Sequence, residues 1–512
     1  MTLRTGSCGG CGATLEFASA ATVLVVCPHC GGASWRSDRD LAYVGKVAEV
    51  APIASPLSLG ETGRFEGVGW TCVGQLQLDH GRGPWNEWCL LFDDGSWRWY
   101  AEAQGEALLT RPAGPDVVAA APERTALEPG TAVDLPGTKD LLVAEVGVGR
   151  VTAARGELPA RVLPGSEVRY ADLRGPAGAF GTLDYGAGDA CQAVYLGRTV
   201  APEELGLAPE KAPPVERRVE SRRLACPSCA ASVELRDPES VRVACGSCGT
   251  LIDPGKGWPK ALGPAVAQAG KVRIPLGTWG TLRGARAQTI AFLARSVTVE
   301  GVRYPWREYL LRTERGAYRW LVESKGHWAL LDPVNPGDVS STGSGPVYRG
   351  VPFRHFATGS AVVDHVLGEV YWEVEVGETV RSEDFVAPPL QMTIERSGKE
   401  VNVTAGVYVP REEVEAAFSV KLPEPSGVAP AQPNPWKGQR GAWWGVGAAL
   451  VAAAAVLMAL VAKSKGAERV GWFFPGLFLF GGLLIPPLVV TTRHANFEVS
   501  RWADSDHPIG EA

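Results

Sequence analysis

Four Cys-x-x-Cys pairs carry the most legible chemistry in this chain: Cys8/Cys11, Cys27/Cys30, Cys226/Cys229 and Cys245/Cys248. Fifteen residues lie between the first two pairs and fifteen between the last two, so a C-x2-C-x15-C-x2-C pattern occurs twice. Two residues between thiolates let a tight turn aim both sulfurs at one ion. A second such turn completes a tetrahedral set at about 2.3 Å. Gly9, Gly12, Pro28, Gly31, Pro227 and Gly249 beside the cysteines suit those turns. The spacing predicts two structural Zn2+ ions, each closed to substrate by its four cysteines. Disulfides are disfavoured because no signal peptide precedes Cys8. Neither segment carries a basic stripe, so nucleic acid is not the expected partner.

A second set of residues could bind a cation. Trp85, Glu87, Trp88, Trp99 and Glu102 recur as Trp306, Glu308, Tyr309, Trp320 and Glu323. Carboxylates beside aromatic faces can hold an amine through charge-assisted and cation–π contacts. The competing reading makes the tryptophans strand core and pairs the glutamates with Arg98 and Arg319. On strand parity Glu87 lies with Trp85, whereas Glu102 lies with Arg98 and not with Trp99. Catalysis is not expected. There is no nucleophile elbow, phosphate loop or zincin helix, and His80, His327, His355 and His365 lack partners between the copies. Cys72, Cys89 and Cys191 read as small buried hydrophobes.

The elements that position these residues form a duplication. Cys8 and Cys226 are 218 residues apart, and the similarity continues past the cysteines. Leu59-Gly-Glu-Thr-Gly63 matches Leu276-Gly-Thr-Trp-Gly280, and Pro84–Leu91 matches Pro305–Leu311. Glu167-Val-Arg-Tyr170 is set against Glu369-Val-Tyr-Trp372, and Tyr195 against Tyr408. Runs 85–92 and 96–103 around Asp93-Asp-Gly95 predict a hairpin, repeated at 306–312 and 317–323. The chain has 512 residues, 45% apolar and 21% charged, which excludes wholesale disorder. Its 62 glycines and 39 prolines suit short strands and turns, and a net charge of −6 argues against gripping nucleic acid backbones. The expected fold is mostly β: two tandem modules, each a zinc ribbon plus a barrel- or sandwich-like domain, then two transmembrane helices.

The expected boundaries are ribbon 1 at 1–36, β-domain 1 at 56–200, a linker at 201–222, ribbon 2 at 223–254 and β-domain 2 at 270–418. A Pro-rich linker follows at 421–440. Uncharged runs at 443–462 and 470–492 are long enough to span a bilayer, with Trp443, Trp444 and Trp472 near their ends. They predict an integral hairpin joined by 463–469, with 1–440 and the tail 493–512 cytoplasmic.

The strings Trp85–Gly95, Trp99–Gly105 and Tyr170-Ala-Asp-Leu-Arg-Gly-Pro176 resemble the bacterial family known as domain of unknown function 4178. The tail Arg501-Trp-Ala-Asp-Ser-Asp-His507 is similar to the end of membrane-attached members. The resemblance covers about 56–200 closely and 270–418 more loosely, and implies neither an activity nor catalytic residues. The expected role is a membrane-anchored scaffold whose modules bind protein partners. The alternative is a sensor of a small amine or polyamine, and an enzyme comes third.

Overall fold

The computed structural model describes residues 5–506, apart from 38–40, 48–49, 51–54, 81–83, 104–105, 208–221, 238–239, 255–258, 265–271, 344, 438–439 and 464–472. The chain folds mostly as β-strands. Strands Val68–Asp79, Pro84–Phe92, Trp97–Ala103, Glu106–Pro112, Ala193–Thr199, Ala179–Gly186, Glu167–Arg174 and Leu141–Leu158 pair in that order. The last pairs back onto the first, closing an antiparallel barrel. The same ring recurs as Ala285–Val299, Val302–Thr313, Tyr318–Ser324, His327–Val334, Val401–Val409, Leu390–Arg396, Thr379–Ala387 and Arg354–Val370. Closure removes the open edges that a free sheet would present. Of the two expected geometries, barrel or sandwich, the barrel forms.

Each cysteine-bearing segment is grafted onto its barrel and shares its sheet. Leu24–Val26 pairs with Gly156–Leu158, the far end of a long barrel strand. Arg242–Ala244 pairs with Gly368–Val370 in the second copy. Here the barrel strand must pass close to its neighbour. Gly156 (φ 72°) and Gly368 (φ 86°) take the left-handed conformation, and a Cβ would lie 2.2 Å from the carbonyl of Val73 or Ile290. A glutamate follows each glycine and ties the ribbon down. Glu157 accepts from Ala18 N–H (2.9 Å) and Thr22 Oγ1. Glu369 accepts from the N–H groups of Arg236 (2.7 Å) and Asp237 (2.9 Å) and from Ser240 Oγ (3.0 Å).

Register corrects two of the expected matches between copies. Glu369 corresponds to Glu157, because Gly368 and Gly156 hold the same place in the two rings. Tyr195 corresponds to Thr404: Gly197 pairs Thr110 and Gly406 pairs Leu331, and each lies two residues further along its strand. Insertions between strands shifted the linear match, and hydrogen-bonded pairing restores it.

The two barrels touch. Val146 N–H donates to Lys399 O (2.8 Å), Asn335 Nδ2 donates to Gly175 O (2.9 Å), and Ala177 N–H donates to Asp338 Oδ1 (2.8 Å). Leu205 and Leu207 fold back into the core beside the first barrel. Leu422, in the Pro-rich segment, enters that of the second.

The expectation of an integral membrane protein with cytoplasmic modules is corrected. Helices form at Arg440–Lys463 and Phe473–Trp502 and pack on each other. Among the described residues, however, no helix is long and apolar enough to cross a membrane. The second helix does not stop at Thr492. It continues through Arg493, His494, Glu498 and Arg501, and this polar end is fastened to protein. Asn434 Nδ2 donates to Glu498 Oε1 (2.7 Å), Arg501 Nη1 donates to Pro430 O (2.6 Å), and Trp502 lies 5.6 Å from the Phe356 ring. Lys325 then pairs with Asp504 at 2.6 Å. The tail string that resembles the end of membrane-attached proteins thus docks on the second barrel. Trp472, His507 and the connector beyond Lys463 lie outside the described residues, as does the side chain of Trp444.

Candidate functional site

The cysteines form two compact groups. Sγ atoms of Cys8 and Cys30 are 3.6 Å apart, and those of Cys11 and Cys27 are 3.7 Å apart. In the second group Cys226–Cys248 is 3.6 Å and Cys229–Cys245 is 3.8 Å. Four sulfurs at about 2.3 Å around a tetrahedral ion would lie roughly 3.8 Å from one another, so both groups can hold a metal ion. Each turn is built by a carbonyl–amide clamp, such as Gly12 N–H to Cys8 O and Gly31 N–H to Cys27 O. Gly12 has φ 75°; at the same place the second ribbon has Ala230 at φ 59°. A β-carbon in that region costs about 1 kcal/mol, so the second turn is the more strained.

The interior of the first barrel is the other candidate. Strand parity turns Trp85 and Glu87 inward, with Leu76 and Leu78 opposite them and Trp99 on the next strand. From the far side of the ring come Asp172 and Asp184. Trp85 Nε1 donates to Glu87 Oε1 (3.1 Å), Thr182 Oγ1 donates to Asp172 Oδ1 (2.7 Å), and Tyr170 Oη donates to Glu145 Oε1 (2.9 Å). The Trp85 and Tyr170 rings meet edge to face at 6.3 Å across the interior. Burial pushes Glu87 up to about 7, opposed by the Trp85 hydrogen bond and reinforced by the charge of Asp184. Burial, then the neighbouring Glu145, pushes Asp172 up to about 7 as well. Asp184 is raised by burial. Among the described residues no lysine or arginine forms an ion pair with these three, and nearby Arg174 pairs with Glu106 instead (2.9 Å). The wall is therefore acidic and aromatic. These groups line a connected cavity of about 4590 Å³ that continues to the second barrel.

The second barrel repeats the acidic wall. Trp306 Nε1 donates to Glu308 Oε1 (2.6 Å), and Thr393 Oγ1 donates to Asp384 Oδ1 (2.7 Å). Glu395 follows Thr393 by two residues, as Asp184 follows Thr182. The copies differ in basic charge at one position of this wall: Arg295 projects inward opposite Trp306, where Leu78 stands opposite Trp85. Its Nη1 lies 2.7 Å from Glu395 and 3.4 Å from Glu308. Burial works against the guanidinium charge, yet Glu308 and Glu395 outweigh it and hold the arginine protonated.

Residues 58–202 and 275–411 match the family model described as Domain of unknown function (DUF4178). The chain belongs to this family. The two DUF4178 matches cover the barrels and leave the cysteine ribbons and the C-terminal helices outside. No curated protein and no solved structure matches the chain.

Within each DUF4178 barrel the residues singled out from sequence separate onto two faces. Trp85, Glu87 and Trp99 share the interior, as do Trp306, Glu308 and Trp320. Trp88 is instead buried in the outer core with Tyr100, and Glu102 lies beside the Tyr100 hydroxyl (3.3 Å). Glu323 is fully buried in the outer layer of the second barrel, where Arg307 (2.6 Å) and Arg273 (3.4 Å) pair with it. Sequence reasoning missed Asp172, Asp184, Arg295, Asp384 and Glu395. The repeated Asp/Thr pairing was the available signal, and it needs the correct strand register to be seen.

Proposed function

We propose that this DUF4178 chain is a binding protein whose first barrel takes a small organic cation between Trp85 and the carboxylates of Glu87, Asp172 and Asp184. The observation that carries the reading is the convergence of those carboxylates, from strands on opposite sides of one ring, without a basic partner among the described residues. An eight-stranded ring can hold a small ligand among its inward side chains, and here those side chains line one part of the larger cavity that the two barrels share. Burying carboxylates together is costly unless a positive charge compensates them, and an indole face adds cation–π attraction. In this reading the two four-cysteine groups hold Zn2+ structurally. They brace the barrel ends, and all four ligands of each are consumed.

Calorimetric titration of the full chain at pH 8 with n-butylamine, tetramethylammonium and n-butylguanidinium tests this. Saturable heat with at least one probe, weakened at least tenfold in Glu87→Gln, is the expected result. No heat from any probe at millimolar concentration overturns the reading.

A further inference from the structure

The two barrels differ at one decisive interior position. Arg295 faces Trp306 across one strand pair, and Leu78 faces Trp85 across the corresponding pair. Glu145, Tyr170 and Tyr195 of the first interior give way to Ala357, Ser382 and Thr404 in the second, but the groups that meet Arg295 are shared. A glutamate two residues beyond each tryptophan accepts its indole N–H, and an aspartate on the far wall accepts from a threonine. Arg295 reaches across the ring to Glu395, sits near Glu308, and holds its Cζ 5.8 Å from the centre of the Trp306 ring. Leu78 ends in methyl groups where Arg295 continues into a charged fork. Among the described residues, the first barrel thus keeps the acidic wall and the indole without the group they surround in the second.

We infer that Arg295 is a built-in ligand, and that its guanidinium stands where a guanidinium-bearing small molecule binds in the first barrel. This rests on the proposed cation site and specifies its ligand class. The same carboxylate positions ligate a cation in one copy of the site, which independently indicates what the other copy takes. A guanidinium suits the wall better than an ammonium does. It is planar, stacks on indole, donates to more than one carboxylate, and loses less hydration on entering a desolvated space. The second barrel is self-occupied and takes no exogenous ligand. It contributes a permanently filled, rigid counterpart to the first.

The test counts sites and exchanges the two residues. Wild-type chain titrated with n-butylguanidinium should bind one equivalent, at least tenfold more tightly than n-butylamine. Arg295→Leu should bind two equivalents, and its melting temperature should rise more with millimolar n-butylguanidinium than that of wild type. One equivalent in both proteins overturns the built-in ligand and leaves the cation site standing. No binding to wild type, with one equivalent gained in Arg295→Leu, overturns the guanidinium site inferred for the first barrel, and the cation site with it, and leaves Arg295 as a ligand of the second barrel alone. Equal or tighter binding of n-butylamine overturns the ligand class. If Arg295→Leu fails to fold, Leu78→Arg decides: loss of the wild-type site supports the inference, and retained binding overturns it.

Discussion

At the scale of single residues, the first barrel gathers acids that resist ionisation. Glu87 faces Asp184, and Asp172 is buried beside Glu145 and Glu87, opposed by the Thr182 hydrogen bond and, less, by Arg174. Both are pushed up to about 7. A raised carboxylate pKa stabilises the empty barrel below the ordinary carboxylate range, and that contribution is lost as pH rises through about 7. A cation reverses the preference, because it needs the ionised forms. Affinity for n-butylguanidinium should therefore rise by about tenfold or more between pH 6 and pH 8. Calorimetry in phosphate and in Tris should show protons leaving the protein on binding. A flat affinity across that range removes Glu87 and Asp172 from the binding event. The acids on the far wall were not visible in the sequence, because an isolated aspartate in an alternating strand looks the same whether its face is inside or outside.

At the scale of elements, the ribbons depend on the barrels. A three-residue strand such as Arg242–Ala244 is too short to stand alone, and it gains order by joining the barrel sheet. Glu369 completes the joint by accepting from two backbone N–H groups and a hydroxyl. Glu369→Ala leaves those donors without their acceptor, a cost of about 1–3 kcal/mol. Hydrogen exchange over 241–253 should accelerate and the melting temperature should fall, while binding in the first barrel is unchanged. Unaltered exchange there would show that the strand pairing alone holds the ribbon. The cysteine turns were legible because both ligands of a pair sit within one local turn. The carboxylate clip was not, since its partners lie more than a hundred positions away.

At the scale of the whole molecule, the contact between barrels is tight at Gly337, where an added Cβ would fall 2.4 Å from the Gly175 carbonyl carbon. Gly337→Val should wedge the barrels apart without disturbing either ring. Small-angle scattering should report a larger radius of gyration with unchanged far-ultraviolet dichroism. An unchanged radius would mean that the surrounding bonds of Val146 and Asn335 absorb the added methyls. The C-terminal helix belongs to this scale too. Its apolar stretch read as a bilayer span, but the polar turn carrying Glu498, Arg501 and Trp502 seats on protein.

The paired cysteine turns, the duplication, the β-rich class and the hairpins could all be read from the residues in order, because each is written in local spacing or short-range alternation. Trp85 and Glu87 were legible as neighbours for the same reason. Tertiary structure alone decided that the sheets close into barrels, that Glu102 and Glu323 face away from Glu87 and Glu308, and that Arg295 fills one acidic interior where Leu78 leaves the other open. Those outcomes depend on register and ring closure, which bring together side chains from strands far apart in the chain. The same long-range packing fastened the final helix to the second barrel, which no count of uncharged residues could foresee.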